Sequence, residues 1–340
     1  MASRLFREHE LAFRTQYAEL KERTLAAGTL LPGTPGSLKL KEINGSRYWY
    51  RVSYSVPGKA REELVCKEGD EAALEAAKER IEFSNWVAGQ VSIMRKLGFQ
   101  VADKAVARVV VELHNQGAFS AGLVLVGTLA YMAWLNELGA IAVSARTQDI
   151  DLARRQPLKL GAPISFLETM QATGLPFVAV PGLPSSSPST SVKLPGVQGL
   201  RIDVLAPGKS LGAPVAIPEL KWCAQAVPYY DYLLADAEPA AMLAGGHCVP
   251  VCLPQAARMV WHKLYASTQR KGFPEKAAKD RQQALVLGAL LAEQDGQTLV
   301  SAFSEAPKAM KTPLKSLRNA LISSGKAHPE LADLLADCLG

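Results

Sequence analysis

Long hydrophobic runs are missing from this chain of 340 residues. A helix that crosses a bilayer needs roughly 20 predominantly apolar residues, and the chain has no run of about eighteen apolar residues. Residues 1–10 carry charged side chains where a secretory signal peptide has its apolar segment. We therefore expect no membrane span, no secretory signal and a cytoplasmic protein.

Cysteine is also scarce. The five cysteines are odd in number and scattered, which argues against a disulfide framework and for reduced thiols. Cys248 and Cys252 lie near His247, but no second pair of zinc ligands accompanies them. The sequence therefore favours a buried strand over a zinc site at residues 248–253.

A strong excess of either charge is lacking as well. The chain has 38 basic and 32 acidic residues, for a net charge of +6. This modest excess is compatible with a nucleic-acid substrate but does not establish one. Hydrophobic content of 48% and charged content of 21% suit a folded globular protein. The length allows two domains and a small appendage.

Three aspartates lie in apolar, strand-like segments. Asp149 and Asp151 flank Ile150, and Asp203 lies within the apolar residues 200–205. Side chains at i and i+2 of a strand share a face, so Asp149 and Asp151 are expected to project together. Close carboxylates repel, and bound Mg²⁺ or Mn²⁺ would relieve the repulsion. With Asp203 on a neighbouring strand, the pattern predicts a two-metal site for phosphoryl displacement.

A candidate phosphate-binding turn precedes these acids. The apolar segment Leu123-Val124-Leu125-Val126 runs directly into Gly127 and Thr128, where a helix is predicted to begin. Glycine lets the backbone approach a phosphate closely, and free N–H groups at a helix start favour an anion. The pair alone is equally compatible with a simple turn capped by threonine. Together with the acids it indicates a nucleoside triphosphate site.

The combined pattern resembles the DNA polymerase β-like nucleotidyltransferase superfamily, in which an apolar strand, a Gly-Ser or similar turn, an Asp-x-Asp pair and a third acid follow one another. More narrowly, it is similar to a bacterial group of nucleotidyltransferase-fold proteins. The matching segments are residues 126–131, 147–152, 201–205, 261–264 and 276–283. Thr128 replaces the commoner serine and keeps a hydroxyl group. The resemblance covers most of residues 37–295.

A basic cluster follows in two predicted helices, near residues 255–265 and 274–291. In related families, a lysine and a Lys/Arg-Asp pair from this region face the triphosphate. The resemblance therefore implies nucleotide-binding roles for Lys263 and Asp280, with Lys279 as a further candidate. Cations there would neutralise charge on the phosphates. The alternative for Lys263 and Lys279 is a solvated helix face.

The amino-terminal region is predicted to contain a helix, a linker and a hairpin. Residues 31–36 are rich in Pro and Gly, and an Asn44-Gly45 turn joins strands at residues 37–43 and 47–56. The hairpin carries tyrosines on one face with lysines nearby. It could face RNA, but packing of the aromatic face against the body is the favoured interpretation.

The whole pattern predicts an α+β protein of three parts. A helical and β-hairpin region at residues 1–117 precedes a nucleotidyltransferase core at residues 118–216, whose mixed sheet is flanked by helices. A mainly helical domain follows at residues 217–340. The Ser- and Pro-rich residues 181–191 are expected to form an exposed hairpin loop rather than a gate.

The functional hypothesis is metal-dependent transfer of NMP from an NTP to an acceptor hydroxyl, with release of pyrophosphate. Resemblance to toxin-like relatives favours an RNA 3′ end, in particular that of tRNA. Two alternatives remain open. The acceptor could be a protein or small-molecule hydroxyl, or the fold could serve as a non-catalytic module that binds nucleic acid or a partner. The sequence leaves the NTP preference and the oligomeric state open.

Overall fold

A computed structural model describes residues 4–56, 59–143 and 147–340 of the chain. The architecture is α+β, as predicted, with a mixed sheet at its centre and a helical carboxy-terminal region. One large cluster of buried apolar residues extends from the central sheet into the carboxy-terminal helices. A smaller cluster lies beneath the amino-terminal helices.

The amino-terminal sheet has three strands, where the sequence predicted two. The elements here are β1 (Arg7–Glu8), α1 (Leu11–Ala27), β2 (Ser37–Ile43), β3 (Ser46–Val56), β4 (Lys59–Lys67), α2 (Glu71–Lys96) and α3 (Lys104–Asn115). The predicted hairpin forms β2 and β3, and β4 pairs with β3 on its other side. Five charges among the nine residues of β4 conceal its apolar alternation.

The strand β3 buries residues on both faces. Val52 is buried and Tyr48 and Tyr50 are half-buried, whereas the ring of Tyr54 is half-exposed. This burial favours the packing interpretation over a sheet that faces RNA. Arg51, on the opposite face, is also buried.

The central sheet follows. Its region contains β5 (Leu123–Val126), α4 (Gly127–Glu137), β6 (Ala140–Ile141), β7 (Asp149–Arg154), α5 (Phe166–Ala172), β8 (Val178–Ala179), β9 (Ser191–Lys193), β10 (Arg201–Pro207), β11 (Pro214–Ile217) and β12 (Trp222–Val227). The strand order is β11-β12-β10-β7-β5, with β9 joined to β10 and β8 to β9. β10 runs parallel to β7 and β12, and the other pairs are antiparallel. The sheet therefore continues past residue 216 to the end of β12.

The carboxy-terminal region is mainly helical after one hairpin. It contains α6 (Tyr230–Leu233), β13 (Glu238–Ala244), β14 (His247–Leu253), α7 (Ala256–Gln269), α8 (Pro274–Glu305), α9 (Lys308–Lys315), α10 (Arg318–Ser324) and α11 (Pro329–Cys338). The strand predicted around Cys248 and Cys252 is confirmed as β14. α7 and α8 pack against each other and carry the basic cluster. Within the described ranges, no helix is both long and apolar enough to cross a membrane.

Candidate active site

Strand register brings the three aspartates together. β10 pairs with β7 so that Asp203 lies directly beside Asp151, and Ile202 lies beside Ile150. Ile150 and Ile202 are fully buried, which leaves the aspartates on the opposite face of the sheet. On the other side of β7, Val126 of β5 is the register partner of Asp151. The predicted turn at Gly127 therefore begins one residue beyond the neighbour of Asp151.

The backbone at Gly127 fits closely against Asp151. Gly127 has a φ of +69°, and a Cβ added there would lie 2.0 Å from Oδ2 of Asp151. Only glycine meets both conditions without strain. α4 begins at this residue with no acidic side chain in its first turn and no side-chain cap. Its first N–H groups therefore remain free to bind an anion, and the threonine-cap alternative for Thr128 does not apply.

The acids carry negative charge that their surroundings do not balance. The pKa of Asp151 is raised to about 6 by burial and by the carboxylates of Asp203 and Asp149. The pKa of Asp203 is raised by burial, and the guanidinium of Arg201 opposes this shift. Nε of Arg201 lies 2.8 Å from Oδ1 of Asp203. A cation at the carboxylates would complete the balance of charge.

Cations from α7 and α8 form the opposite wall. Nζ of Lys263 lies 3.4 Å from Oδ1 of Asp280, and Nε of Arg270 lies 2.6 Å from Oδ2 of the same carboxylate. Lys263 and Asp280 are both buried. Burial lowers the pKa of Lys263, and Asp280 raises it. Asp280 thus holds Lys263 and Arg270 in place. Its direct contact with the nucleotide, inferred from the sequence, stays a prediction.

All predicted site residues line a single cleft of about 450 Å³, a volume typical of ligand pockets. They are Gly127, Thr128, Asp149, Asp151, Asp203, Lys263, Lys279 and Asp280. The turn lies at the start of α4, the acids lie on β7 and β10, and the remaining residues come from the α7–α8 hairpin. The arrangement can therefore hold a polyanion between free N–H groups and cations, next to clustered carboxylates.

Three further cleft residues were given no role by the sequence. Arg270 lies in the turn between α7 and α8. Its position as a basic residue between two cationic helices is the sequence feature that could have predicted a place in the cleft. The ring of Tyr230 meets His262 edge-on at 5.2 Å, and burial lowers the pKa of His262 to about 4. Arg258, on the same helix as Lys263, pairs with Glu305 and does not line this cleft.

The donor set of the acids fits a hard divalent cation. Within residues 4–56, 59–143 and 147–340, no group of three His, Cys, Asp or Glu side chains is arranged so that it could hold a metal ion. Asp149, Asp151 and Asp203 nevertheless offer the carboxylate oxygens that Mg²⁺ and Mn²⁺ prefer. A bound ion would have to share or displace the contact between Arg201 and Asp203. Burial and the two neighbouring carboxylates raise the pKa of Asp151, and a bound cation would oppose that shift.

The fold is α+β, and the cleft places cations and free N–H groups beside clustered carboxylates. A family model described as nucleotidyltransferase matches residues 104–308. The match covers more than half of the chain and includes every residue of the candidate site, so the chain belongs to this nucleotidyltransferase family. No curated protein matches the chain.

Proposed function

We propose that the protein transfers a nucleoside monophosphate from an NTP to an acceptor hydroxyl. The observation that carries this proposal is the meeting of the Gly127 turn, the three aspartates and the α7–α8 cations in one cleft. Family membership supports nucleotidyl transfer as the reaction class. The metal, the acceptor and the role of each residue are part of the same proposal.

The chain's own residues account for substrate binding and for the fate of the proton. Free N–H groups at Gly127 and Thr128 donate hydrogen bonds to phosphate oxygens, while Lys263 and Arg270 balance the negative charge of the phosphates. The acceptor oxygen bonds to the α-phosphorus, and the bond from that phosphorus to the bridging oxygen of the β-phosphate breaks. Pyrophosphate leaves with that electron pair. The carboxylate of Asp203, which lines the cleft beside Asp151, takes the hydroxyl proton.

Mg²⁺ or Mn²⁺ would be held by Asp149, Asp151 and Asp203. When bound, such ions stabilise negative charge on the attacking and leaving oxygens. The unbalanced charge at Asp151 supports this assignment.

The favoured acceptor is an RNA 3′ end, with tRNA as the first candidate. Lys276 and Lys279 join Arg270 along the cleft, so a polyanionic acceptor would meet cations on its way to the acids. A protein or small-molecule hydroxyl is the rival acceptor for the same chemistry.

A second candidate function is a binding module without catalysis. The observation that favours it is the ion pair between Arg201 and Asp203, which occupies one of the three carboxylates. In that case the cleft would bind nucleotide or nucleic acid, but no ion would engage Asp203.

Label transfer tests the proposal. Purified protein is incubated with each α-³²P-labelled NTP, Mg²⁺ or Mn²⁺, and either total RNA or total protein, beside an Asp149→Asn/Asp151→Asn variant. Label on RNA that disappears in the variant would support the favoured acceptor, whereas label on protein would support the rival. Nucleotide binding without transfer in any mixture would support the binding module.

A further inference from the structure

A second cavity, of about 300 Å³, lies between the amino-terminal sheet, α2, α3 and the turn between β13 and β14. It shares no lining residue with the candidate active site. We infer that this cavity binds a small anionic molecule with a flat apolar body, such as an aromatic ring that carries a phosphate or a carboxylate. The inference does not depend on the proposed function.

Two loop walls of the cavity are held in place before any ligand binds. The buried Arg51 donates hydrogen bonds to the carbonyl oxygens of Pro32, Thr34 and Pro35 at 2.8, 2.8 and 3.0 Å. These bonds fix one wall. The N–H of Gly245 donates to the carbonyl of Ala102 at 2.9 Å, which fixes the other. A preorganised site loses less entropy when it binds a ligand.

One wall offers a smooth surface without large side chains. A Cβ added to Gly245 would lie 2.9 Å from Cβ of Ala107, and one added to Gly246 would lie 3.4 Å from Cβ of Ala88. The turn thus packs its peptide groups directly against the two helices. Tyr54, whose side chain is half-exposed, also lines the cavity. A flat ring can lie in contact with peptide planes, alanine methyl groups and a tyrosine ring at the same time.

The charge of the lining is positive and unbalanced. Lys104 and Arg108 lie one turn apart on α3 and both line the cavity, whereas none of the lining residues is acidic. Burial lowers the pKa of Arg108, with no carboxylate to oppose it. Its Nη1 is buried and, within the described part of the chain, has no hydrogen-bond acceptor. Lys104 also begins α3, where the helix dipole favours an anion, and the exposed side chain of the N-cap residue Asp103 caps no N–H group there.

The neighbouring His247 adds no further charge near neutral pH. Burial and the nearby Arg51 lower its pKa, while a hydrogen bond to the Leu31 carbonyl opposes the shift. An adjoining cavity of about 240 Å³ shares Ser84 and His247 with the first. The ring of a ligand therefore has room to extend past Ser84.

Calorimetric titration with phenyl phosphate tests the inference on the full chain, with inorganic phosphate, benzoate and phenol as comparison probes. We expect one saturable site for phenyl phosphate or benzoate, and weaker binding of phosphate or phenol alone. Arg108→Gln should weaken binding about 10- to 100-fold, as expected for a lost hydrogen bond to a charged group. Ser84→Trp should abolish it by filling the cavity.

Matched controls lie on α2, outside the cavity. Arg95→Gln and Ser92→Trp alter exposed residues of α2 and should leave binding unchanged. Absence of saturable binding by either ring-bearing anion would overturn the inference. Binding by Arg108→Gln and Ser84→Trp that equals binding by the unaltered protein would also overturn it.

Two further variants keep the test decisive. Loss of binding in Lys263→Gln would also overturn the inference, because it would place the probe in the candidate active site. Should Arg108→Gln fail to fold, Lys104→Gln decides the question, because Lys104 is exposed and its replacement removes no core contact.

Discussion

Replacing Gly127 with alanine tests how closely the turn and the acids fit together. The φ of +69° makes alanine cost about 1–2 kcal/mol of unfolding free energy. The new methyl carbon would also lie 2.0, 3.0 and 3.2 Å from Oδ2, Cγ and Cβ of Asp151. Oδ2 of Asp151 must therefore move by about 1 Å to reach an ordinary contact distance, and the remaining contact with Cβ shifts the turn or strand by a few tenths of an ångström. A displacement of about 1 Å at such a site costs roughly 100-fold in rate.

Gly28→Ala is the matched control, because Gly28 has a φ of +67° and no atom within 4 Å of an added Cβ. Urea unfolding and label transfer are measured on both variants. We expect a similar loss of stability in both, from the backbone conformation, with a roughly 100-fold loss of transfer only in Gly127→Ala. Equal transfer by the two variants would refute the close fit between the turn and Asp151.

Three further predictions concern the cleft. Lys263→Gln should weaken NTP binding about 10-fold or more in calorimetry, because it removes a charged hydrogen bond. Arg281→Gln, on α8 outside the cleft, should not weaken it. The pKa of His262 falls from 6.5 to about 4 on folding, so the unfolded chain takes up the proton first and stability declines as pH falls through that window. His262→Phe should reduce this decline in unfolding free energy by up to about 3 kcal/mol, measured by urea unfolding at a series of pH values. An unchanged profile would contradict a buried neutral imidazole. Arg201→Gln should raise Mn²⁺ affinity about two- to fivefold by freeing Asp203 from a partly exposed ion pair. Weaker binding would instead mean that the guanidinium orders the site.

The strand positions of the acids could be predicted because strand periodicity is a local property. The spacing of Asp149 and Asp151 places them on one face, and the apolar residues around Asp203 indicate a second strand. The turn at Gly127 could be predicted because an apolar run changes there into a helical pattern. The register that places Asp203 exactly opposite Asp151 is a tertiary feature, and only the structure supplies it.

Other features depend on packing that no local pattern records. Arg270 lies in an irregular turn, and its contact with Asp280 exists only because α7 and α8 pack together. The carboxylate of Asp280 meets two cations for the same reason. β4 escaped prediction because its charged residues mask the strand pattern, and β12 joins the sheet beyond the expected boundary at residue 217.

A crystal structure with Mn²⁺ and an unreactive NTP analogue would show directly whether metal and nucleotide meet in the cleft. We expect anomalous density for manganese at Asp149 and Asp151, with the triphosphate between the Gly127 turn and Lys263. A nucleotide bound elsewhere, or bound in the cleft with no manganese at the aspartates under saturating metal, would contradict it.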